Sequence, residues 1–93
     1  MAERIETYAV TWQDIPVTIT YESNWLGLCA HLQLRAGERL PITETGYRSI
    51  YTSEEAIDRA GGAVAFAMGL LDEAAALPAW KRYWQERQQL SLF

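Results

Sequence analysis

The chain of 93 residues contains a single cysteine, Cys29, and a single histidine, His31. One cysteine excludes an internal disulfide, and these two residues alone leave a tetrahedral zinc site two ligands short. The sequence also lacks a phosphate-binding glycine loop, because Gly61-Gly62 lies among helical residues without the lysine and hydroxyl of a P-loop. We therefore expect no metal and no cofactor.

Long hydrophobic runs are missing as well. The longest apolar stretch, from Ala63 to Leu71, ends at Asp72, far short of the ~20 residues that a membrane-spanning helix needs. The N-terminal segment has no basic stretch followed by an apolar run, which is the pattern of a secretory signal. These absences predict a cytoplasmic protein that does not enter a membrane.

Positive charge is scarce in most of the chain. The formal net charge is −4, and the basic residues Lys81, Arg82 and Arg87 are concentrated near the C-terminus, so the preceding body is clearly acidic. An acidic body repels phosphate backbones. We therefore expect no direct binding to duplex DNA, although such a body suits an inhibitor that covers a basic groove on another protein.

Groups that could perform catalysis are few. Cys29 and His31 share one face of a predicted strand, because strand positions two apart point the same way. A thiol nucleophile also needs an orienting group and an oxyanion site, and the sequence indicates neither. The carboxylates Glu54, Glu55 and Asp58 are better explained by the start of a helix. We predict a non-enzymatic protein, and an enzyme that uses Cys29 and His31 is the more distant alternative.

The first half of the chain alternates between apolar and polar residues, as strands with one buried face do. A hairpin with its turn at Gln13-Asp14-Ile15 is followed by a third strand over Leu28 to Arg35 and a fourth over Tyr47 to Tyr51. The residues predicted to share one face of their strand are Tyr8, Val10 and Trp12 in the first strand, Val17, Ile19 and Tyr21 in the second, and Ala30, Leu32 and Leu34 in the third.

The second half predicts helices. Thr52 with Glu55, or Ser53, supplies a cap for a first helix, and Gly61-Gly62 separates it from a second helix that begins near Ala63; a single kinked helix is the alternative. Pro78 begins a last helix that runs through Arg87. A helical face is expected from Ile57, Val64, Met68, Leu71 and Ala75. The predicted fold is α+β, with a four-stranded antiparallel sheet covered on one face by C-terminal helices.

The segment Trp80-Lys81-Arg82-Tyr83-Trp84 mixes aromatic and basic residues as single-strand-binding surfaces do. At helical spacing, however, Trp80 and Trp84 fall on one face with Tyr83 nearby. We interpret the segment as an amphipathic helix that packs its tryptophans on the sheet. This helix and the exposed edge of the sheet are also candidate surfaces for a homodimer.

The chain ends in Gln89-Leu90-Ser91-Leu92-Phe93. This pentapeptide resembles the motif, written Gln-Leu-Ser/Asp-Leu-Phe, by which bacterial polymerases and repair factors bind the replication sliding clamp, and all five positions agree. The resemblance implies that Gln89 bonds at the rim of the clamp pocket, that Leu92 and Phe93 fill its apolar floor, that Leu90 is a second anchor and that Ser91 is a spacer. It divides the chain into a domain over residues 1–88 and an extended docking peptide over residues 89–93. The alternative is that Leu92 and Phe93 fold back on the domain's own core.

The body, from the hairpin through Gly61-Gly62 to Leu71-Asp72-Glu73-Ala74-Ala75, is similar to a group of small proteins from plasmids, phages and integrated elements of alphaproteobacteria. That group brings no established activity, but it implies a bacterial mobile element. The leading hypothesis is a protein-binding module that docks on the DNA polymerase sliding clamp. The rival is an anti-CRISPR or other anti-defence inhibitor, in which the acidic body blocks a nucleic-acid-binding surface of a CRISPR or other defence complex.

Overall fold

The computed structural model describes residues 4–25 and 29–90. Four antiparallel strands follow one another across a single sheet in the order β1-β2-β3-β4, and three helices follow the last strand. The elements are β1 (Arg4–Trp12), β2 (Ile15–Trp25), β3 (Cys29–Ala36), β4 (Tyr47–Thr52), α1 (Glu54–Ala60), α2 (Ala63–Ala75) and α3 (Pro78–Leu90). The α+β prediction is confirmed; Leu28, which we expected to begin the third strand, lies outside the described residues.

The turn of the hairpin between β1 and β2 consists of two residues. Gln13 and Asp14 both have positive φ angles, 47° and 66°, which is the conformation of a type I′ turn and matches the twist of the paired strands. Ile15 was expected to belong to this turn, but it is the first residue of β2, pairs with Trp12 and is buried. The hairpin is therefore one residue tighter than the sequence indicated.

The two faces of the sheet differ. Ile19, Leu32 and Leu34 point to the face on which the helices pack, which we call the covered face, and all three are fully buried. The strand register places the other side chains in three rows across the opposite face, which no described helix covers and which we call the open face. From β1 to β4 the rows are Ile5-Glu22-His31-Tyr51, Thr7-Thr20-Gln33-Ser49 and Ala9-Thr18-Arg35-Tyr47.

Local signals define α1. Ser53 is its N-cap, and the Ser53 hydroxyl accepts a 3.1 Å hydrogen bond from the amide of Ala56, which satisfies one of the amides that a helix start leaves without a helical partner. Gly61 ends the helix in the left-handed conformation, with φ of 103°. The predicted division at Gly61-Gly62 is confirmed, and the cap is Ser53 rather than Thr52.

Small residues lie at the centre of the buried face of α2. Ala63, Ala67 and Leu71 are its fully enclosed residues, whereas Val64 and Met68 are only partly buried at the edge of the core. Alanine at the centre of the contact lets the helix backbone approach the sheet, and the larger side chains then fill the space on either side. The predicted face is confirmed, since Ile57 and Leu71 are buried and Val64, Met68 and Ala75 pack against the core; the sequence did not indicate that Ala63 and Ala67 lie deeper than Val64 and Met68.

The connection from β3 to β4 requires a glycine. Gly46 has φ of 84°, and a side-chain carbon at this position would lie 2.5 Å from the carbonyl oxygen of Ala36 and 2.7 Å from that of Glu38. The carbonyl of Gly46 in turn accepts a 2.8 Å hydrogen bond from the amide of Ala36. Thr43 and Thr45 complete the loop through hydroxyl bonds to the backbone, so these threonines serve the turn itself.

Candidate partner-binding site

Helix α3 carries the predicted docking peptide, and its first turn is fixed to the core. Trp80 is 4% exposed, and its ring lies 5.6 Å from that of Trp12 between centroids. The indole Nε1 of Trp80 donates to Oε1 of Gln13 at 3.5 Å, and that of Trp12 donates to Oδ1 of Asp72 at 2.9 Å. The interpretation that the helix packs its tryptophans on the sheet is confirmed for Trp80, which seats α3 against the first hairpin.

Farther along α3, contacts lie nearer the solvent. The guanidinium of Arg39 lies 4.6 Å from the ring centre of Tyr83, and that of Arg87 lies 4.8 Å from the ring centre of Trp84. Arg87 also forms a 2.7 Å ion pair with Glu38. Half-exposed contacts of this kind contribute roughly 0.5–1 kcal/mol each. The second half of α3 is therefore held more weakly than its first turn.

Two open grooves flank this part of α3. One has a volume of about 310 Å³ and lies beside the hairpin turn and the end of α2. The other has a volume of about 480 Å³ and lies beside the β3–β4 loop. The first is lined by Gln13, Ala75, Trp80, Lys81, Trp84 and Gln85, and the second by Glu38, Tyr83, Glu86 and Arg87.

The predicted docking peptide begins inside this helix. The structure places the backbone of Gln89 and Leu90 in the last turn of α3, whereas we expected an extended tail from residue 89. Glutamine and leucine are good helix formers, so the run from Gln85 continues past Arg87 without a breaking residue. Ser91, Leu92 and Phe93 lie outside the described residues, and their assignment as clamp contacts stays a prediction.

Cys29 and His31 lie on the open face, as expected, but His31 takes part in a polar cluster that the sequence did not reveal. Its Nε2 is hydrogen-bonded to Oγ of Ser49 at 2.5 Å, and its Nδ1 lies 3.5 Å from Oε1 of Glu22. The ring of Tyr51 stacks on the imidazole with 4.5 Å between centroids. The pairings Glu22–His31 and His31–Tyr51 in the strand register bring these groups together.

An acid, an imidazole and a hydroxyl in this order resemble the arrangement of nucleophilic hydrolases. His31 is only 5% exposed, however, beneath the ring of Tyr51, and a catalytic base must reach a bound substrate. The geometry is therefore that of a buried polar cluster that joins three strands. Within residues 4–25 and 29–90, no group of three or more metal-ligating side chains could hold an ion.

No single helix in the described part of the chain is long and apolar enough to cross a membrane. α2 and residues 78–87 of α3 reach the required length and hydropathy together, but their axes are bent by 86°.

A family model for the third domain of KlcB matches residues 5–80. The chain belongs to the KlcB third-domain family. The match covers the sheet from Ile5 onward, α1, α2 and the first residues of α3 up to the buried Trp80. KlcB is plasmid-associated, which agrees with the mobile-element context that the body implied. No curated protein and no solved structure matches the chain.

The KlcB third-domain match ends before the predicted docking peptide. Residues 81–93, which include most of α3 and all of Gln89-Leu90-Ser91-Leu92-Phe93, lie beyond it. The family match thus includes the sheet and the first two helices. It gives no information on the role of residues 89–93, which can be argued only from their own side chains.

Proposed function

We propose that this KlcB third-domain protein is a non-enzymatic binding module that docks on the bacterial DNA polymerase sliding clamp through Gln89-Leu90-Ser91-Leu92-Phe93. The five-position agreement with the clamp-binding motif is the observation that carries the proposal. Burial of the three apolar side chains in a partner's pocket gains roughly 1.5–3 kcal/mol each. Immobilising the peptide and the partners offsets several kcal/mol of this gain, so burial of these three side chains alone gives a weak, reversible contact, with a Kd on the order of millimolar.

The position of the peptide supports this role. It follows the part of the chain that matches the family, and it comes two residues after Arg87, whose ion pair with Glu38 is the last described contact of α3 with the body. A partner that binds the peptide therefore does not need to displace Trp80 from the core. The folded body and the docking peptide can act as separable units.

Calorimetry with purified clamp tests the proposal. The substitutions Leu92→Ala and Phe93→Ala together should abolish detectable binding, because they remove the two groups that would fill the pocket floor, and circular dichroism should be unchanged. Ser91→Ala is the matched control, since a spacer residue should tolerate the change within about threefold in Kd. Equal binding by the intact and the doubly substituted protein would falsify the proposal.

The helical backbone of Gln89 and Leu90 provides a second test. An extended docking peptide requires the last turn of α3 to unwind, and glycine weakens a helix by about 1 kcal/mol relative to alanine. Gln88→Gly should therefore bind the clamp more tightly than Gln88→Ala, by up to about fivefold in Kd. The reverse order would indicate that the clamp binds the peptide as a helix.

A second candidate function is supported by the charge of α1 and α2. These helices expose the carboxylates Glu54, Glu55, Asp58, Asp72 and Glu73 and only one basic residue, Arg59. Such a surface suits the inhibitor alternative, in which the body occupies a basic nucleic-acid-binding groove of a CRISPR or other defence complex. Binding that survives loss of Leu92 and Phe93 but is lost when Glu54 and Asp58 become Gln and Asn would favour this candidate over the clamp.

A further inference from the structure

Strand β1 lies at one edge of the sheet, and no strand in the described part of the chain lies beyond it. The hairpin shows which of its backbone groups point outward. A two-residue turn is closed by a pair of residues that exchange hydrogen bonds, and bonded and non-bonded pairs then alternate along the ladder. Trp12 and Ile15 are the closing pair, so Thr11 and Pro16 form a non-bonded pair. This assignment agrees with the chemistry of Pro16, which has no amide proton to donate.

Alternate residues of β1 therefore direct their amides and carbonyls away from β2. Their side chains lie on the open face, and all of them are exposed, Ile5 at 61%. These outward residues, which we call the β1 edge, are Ile5, Thr7, Ala9 and Thr11. A row of outward amides and carbonyls at the edge of a sheet is a template for a further extended strand. The chemistry of this edge thus suits an occupant whose backbone is in the β conformation.

The composition of β1 favours pairing with a copy of itself. Proteins protect exposed edges with proline, lysine or a β-bulge. The six residues from Thr7 to Trp12 include no charge, no proline and no glycine, and their register with β2 is unbroken. Short uncharged segments rich in β-branched and aromatic residues are those that pair with identical segments of other chains. The occupant that this composition selects is a second copy of β1.

The opposite edge of the sheet suits a second copy less well. Across β2 and β3, the same alternation leaves β4 with fewer outward residues, which are Tyr47, Ser49 and Tyr51. Arg48 is exposed within this shorter strand, and the guanidinium of Arg35 lies 5.2 Å from the ring centre of Tyr47. Charged side chains along an edge oppose the addition of another strand.

We propose that β1 pairs antiparallel with β1 of a second copy, about a two-fold axis that passes through Tyr8 perpendicular to the sheet. Ile5 then lies opposite the partner's Thr11 and Thr7 opposite the partner's Ala9, so every residue of the β1 edge is hydrogen-bonded. The two sheets of four strands become one continuous sheet. Because each copy contributes the same strand, the contact closes at the dimer, and only the two β4 edges remain open.

The side chains on the covered side of β1 select this register. Tyr8 meets the partner's Tyr8 in a non-bonded pair, where facing side chains are closest, and Glu6 faces the partner's Val10. Tyr8 and Val10 are only partly buried in one copy, so the added strand extends their burial. An axis at Glu6 would set two carboxylates opposite each other, which is destabilising. An axis at Thr7 would leave Thr11 opposite no residue of β1.

The expected dimer is weak. The contact involves one strand of each copy and is smaller than a standard interface, which buries about 800 Å² on each partner. Interfaces below the standard size are typical of transient complexes. We therefore expect a Kd on the order of 0.1–1 mM, which concentrated solutions of the full chain reach.

Two substitutions at one position test the edge by analytical ultracentrifugation of the full chain from micromolar to millimolar concentration. The amide of Ala9 points away from β2, so Ala9→Pro removes an outward donor without removing a hydrogen bond of the hairpin. By symmetry the dimer loses two bonds, and dimerisation should weaken about tenfold or more. Ala9→Val is the matched control, because it keeps the amide and should dimerise at least as well as the unaltered protein.

Hydrogen exchange of the unaltered chain tests the same edge without a substitution. The amides of Thr7 and Ala9 should exchange more slowly as the concentration rises, whereas those of Ser49 and Tyr51 at the other edge should not change. Slow exchange of the β1 edge that does not depend on concentration would mean that a segment of the same chain covers it, and would overturn the proposal. Slowing at the β4 edge alone would do the same.

Disulfide trapping tests the register. In a Cys29→Ser background, Tyr8→Cys places two thiols on the proposed axis, at a separation that a disulfide spans. Thr7→Cys places them diagonally, so Tyr8→Cys should cross-link at least about tenfold faster. Faster trapping of Thr7→Cys, or equal dimerisation of Ala9→Pro and Ala9→Val, would overturn the proposal. A chain that stays monomeric at every concentration would also overturn it and would leave the edge to an extended peptide of another protein.

Discussion

The covered face and the open face are formed by the same four strands, yet they exclude water by different means. On the covered face, Leu32 and its neighbours are buried by α1 and α2, which bring apolar side chains to them. On the open face, His31 is almost as well buried without a helix above it, because Tyr51 stacks on its ring and Ser49 bonds to it. Burial on a sheet can thus come from another layer or from the side chains of the sheet itself.

Substitutions at three consecutive residues of β3 can show how much the burial on each face contributes to stability. His31, Leu32 and Gln33 point alternately to the two faces, so substitution of each by alanine compares the faces at nearly the same position. The expected loss of unfolding free energy is larger where the substitution removes more buried contact. All can be followed by urea denaturation monitored by circular dichroism.

The largest effect is expected for Leu32→Ala. This side chain is fully buried at the centre of the covered face, and its loss leaves a cavity between the sheet and the helices. The free energy of unfolding should fall by about 3 kcal/mol. A smaller loss than that of His31→Ala would show that the covered face does not dominate the stability of the domain.

His31→Ala should have the next largest effect. It removes the bond to Ser49 and the stacking partner of Tyr51, and a polar group left without its buried partner costs roughly 1–3 kcal/mol. We expect a fall of about 2 kcal/mol in the unfolding free energy. His31→Phe keeps a ring beneath Tyr51 but loses the hydrogen bond to Ser49. Its unfolding free energy should therefore lie between those of the alanine variant and the unaltered protein. If it equals that of the alanine variant, the ring stacking does not contribute to stability.

Ser49→Ala should cost about 1 kcal/mol, the typical net contribution of one hydrogen bond. The sharper measurement is a double-mutant cycle between Ser49 and His31. If the 2.5 Å contact contributes to stability, the two losses should be non-additive by at least about 0.5 kcal/mol. Strict additivity would show that each residue acts through other contacts.

The smallest effect belongs to Gln33→Ala. Gln33 lies on the open face between Thr20 and Ser49 in the middle row and is only half-buried. A substitution of this kind usually changes the unfolding free energy by no more than about 0.5 kcal/mol. A loss comparable to that of His31→Ala would mean that the whole open face, and not only the histidine cluster, contributes to the core.

Local signals in the sequence were enough for most of the fold. The alternation of Val17, Ile19 and Tyr21, the cap at Ser53 and the break at Gly61 each depend on residues within a few positions of one another, and the structure agrees with all three. Patterns of this kind record the period of an element and its ends.

What the sequence did not reveal depends on distant positions. His31 is nine residues from Glu22 and eighteen from Ser49, so their meeting follows from the strand register rather than from any short motif. The sequence did not indicate that Ala63 and Ala67 are the most buried residues of α2 beside Leu71, because both are small and hydrophobicity alone favours Val64 and Met68. The end of α3 was placed too early because nothing between Gln85 and Leu90 breaks a helix.

The contact between Trp80 and the first hairpin has a consequence for the order in which the chain folds. Gln13 and Trp80 are separated by 67 positions, so Trp12 emerges from the ribosome long before the ring that will cover it. Until α3 is synthesised, the ring of Trp12 lacks the contact with Trp80, and the core is complete only when α3 packs against the hairpin. Contacts of such long sequence separation slow folding, and an increase in shielding of Trp12 during synthesis would report the moment of completion.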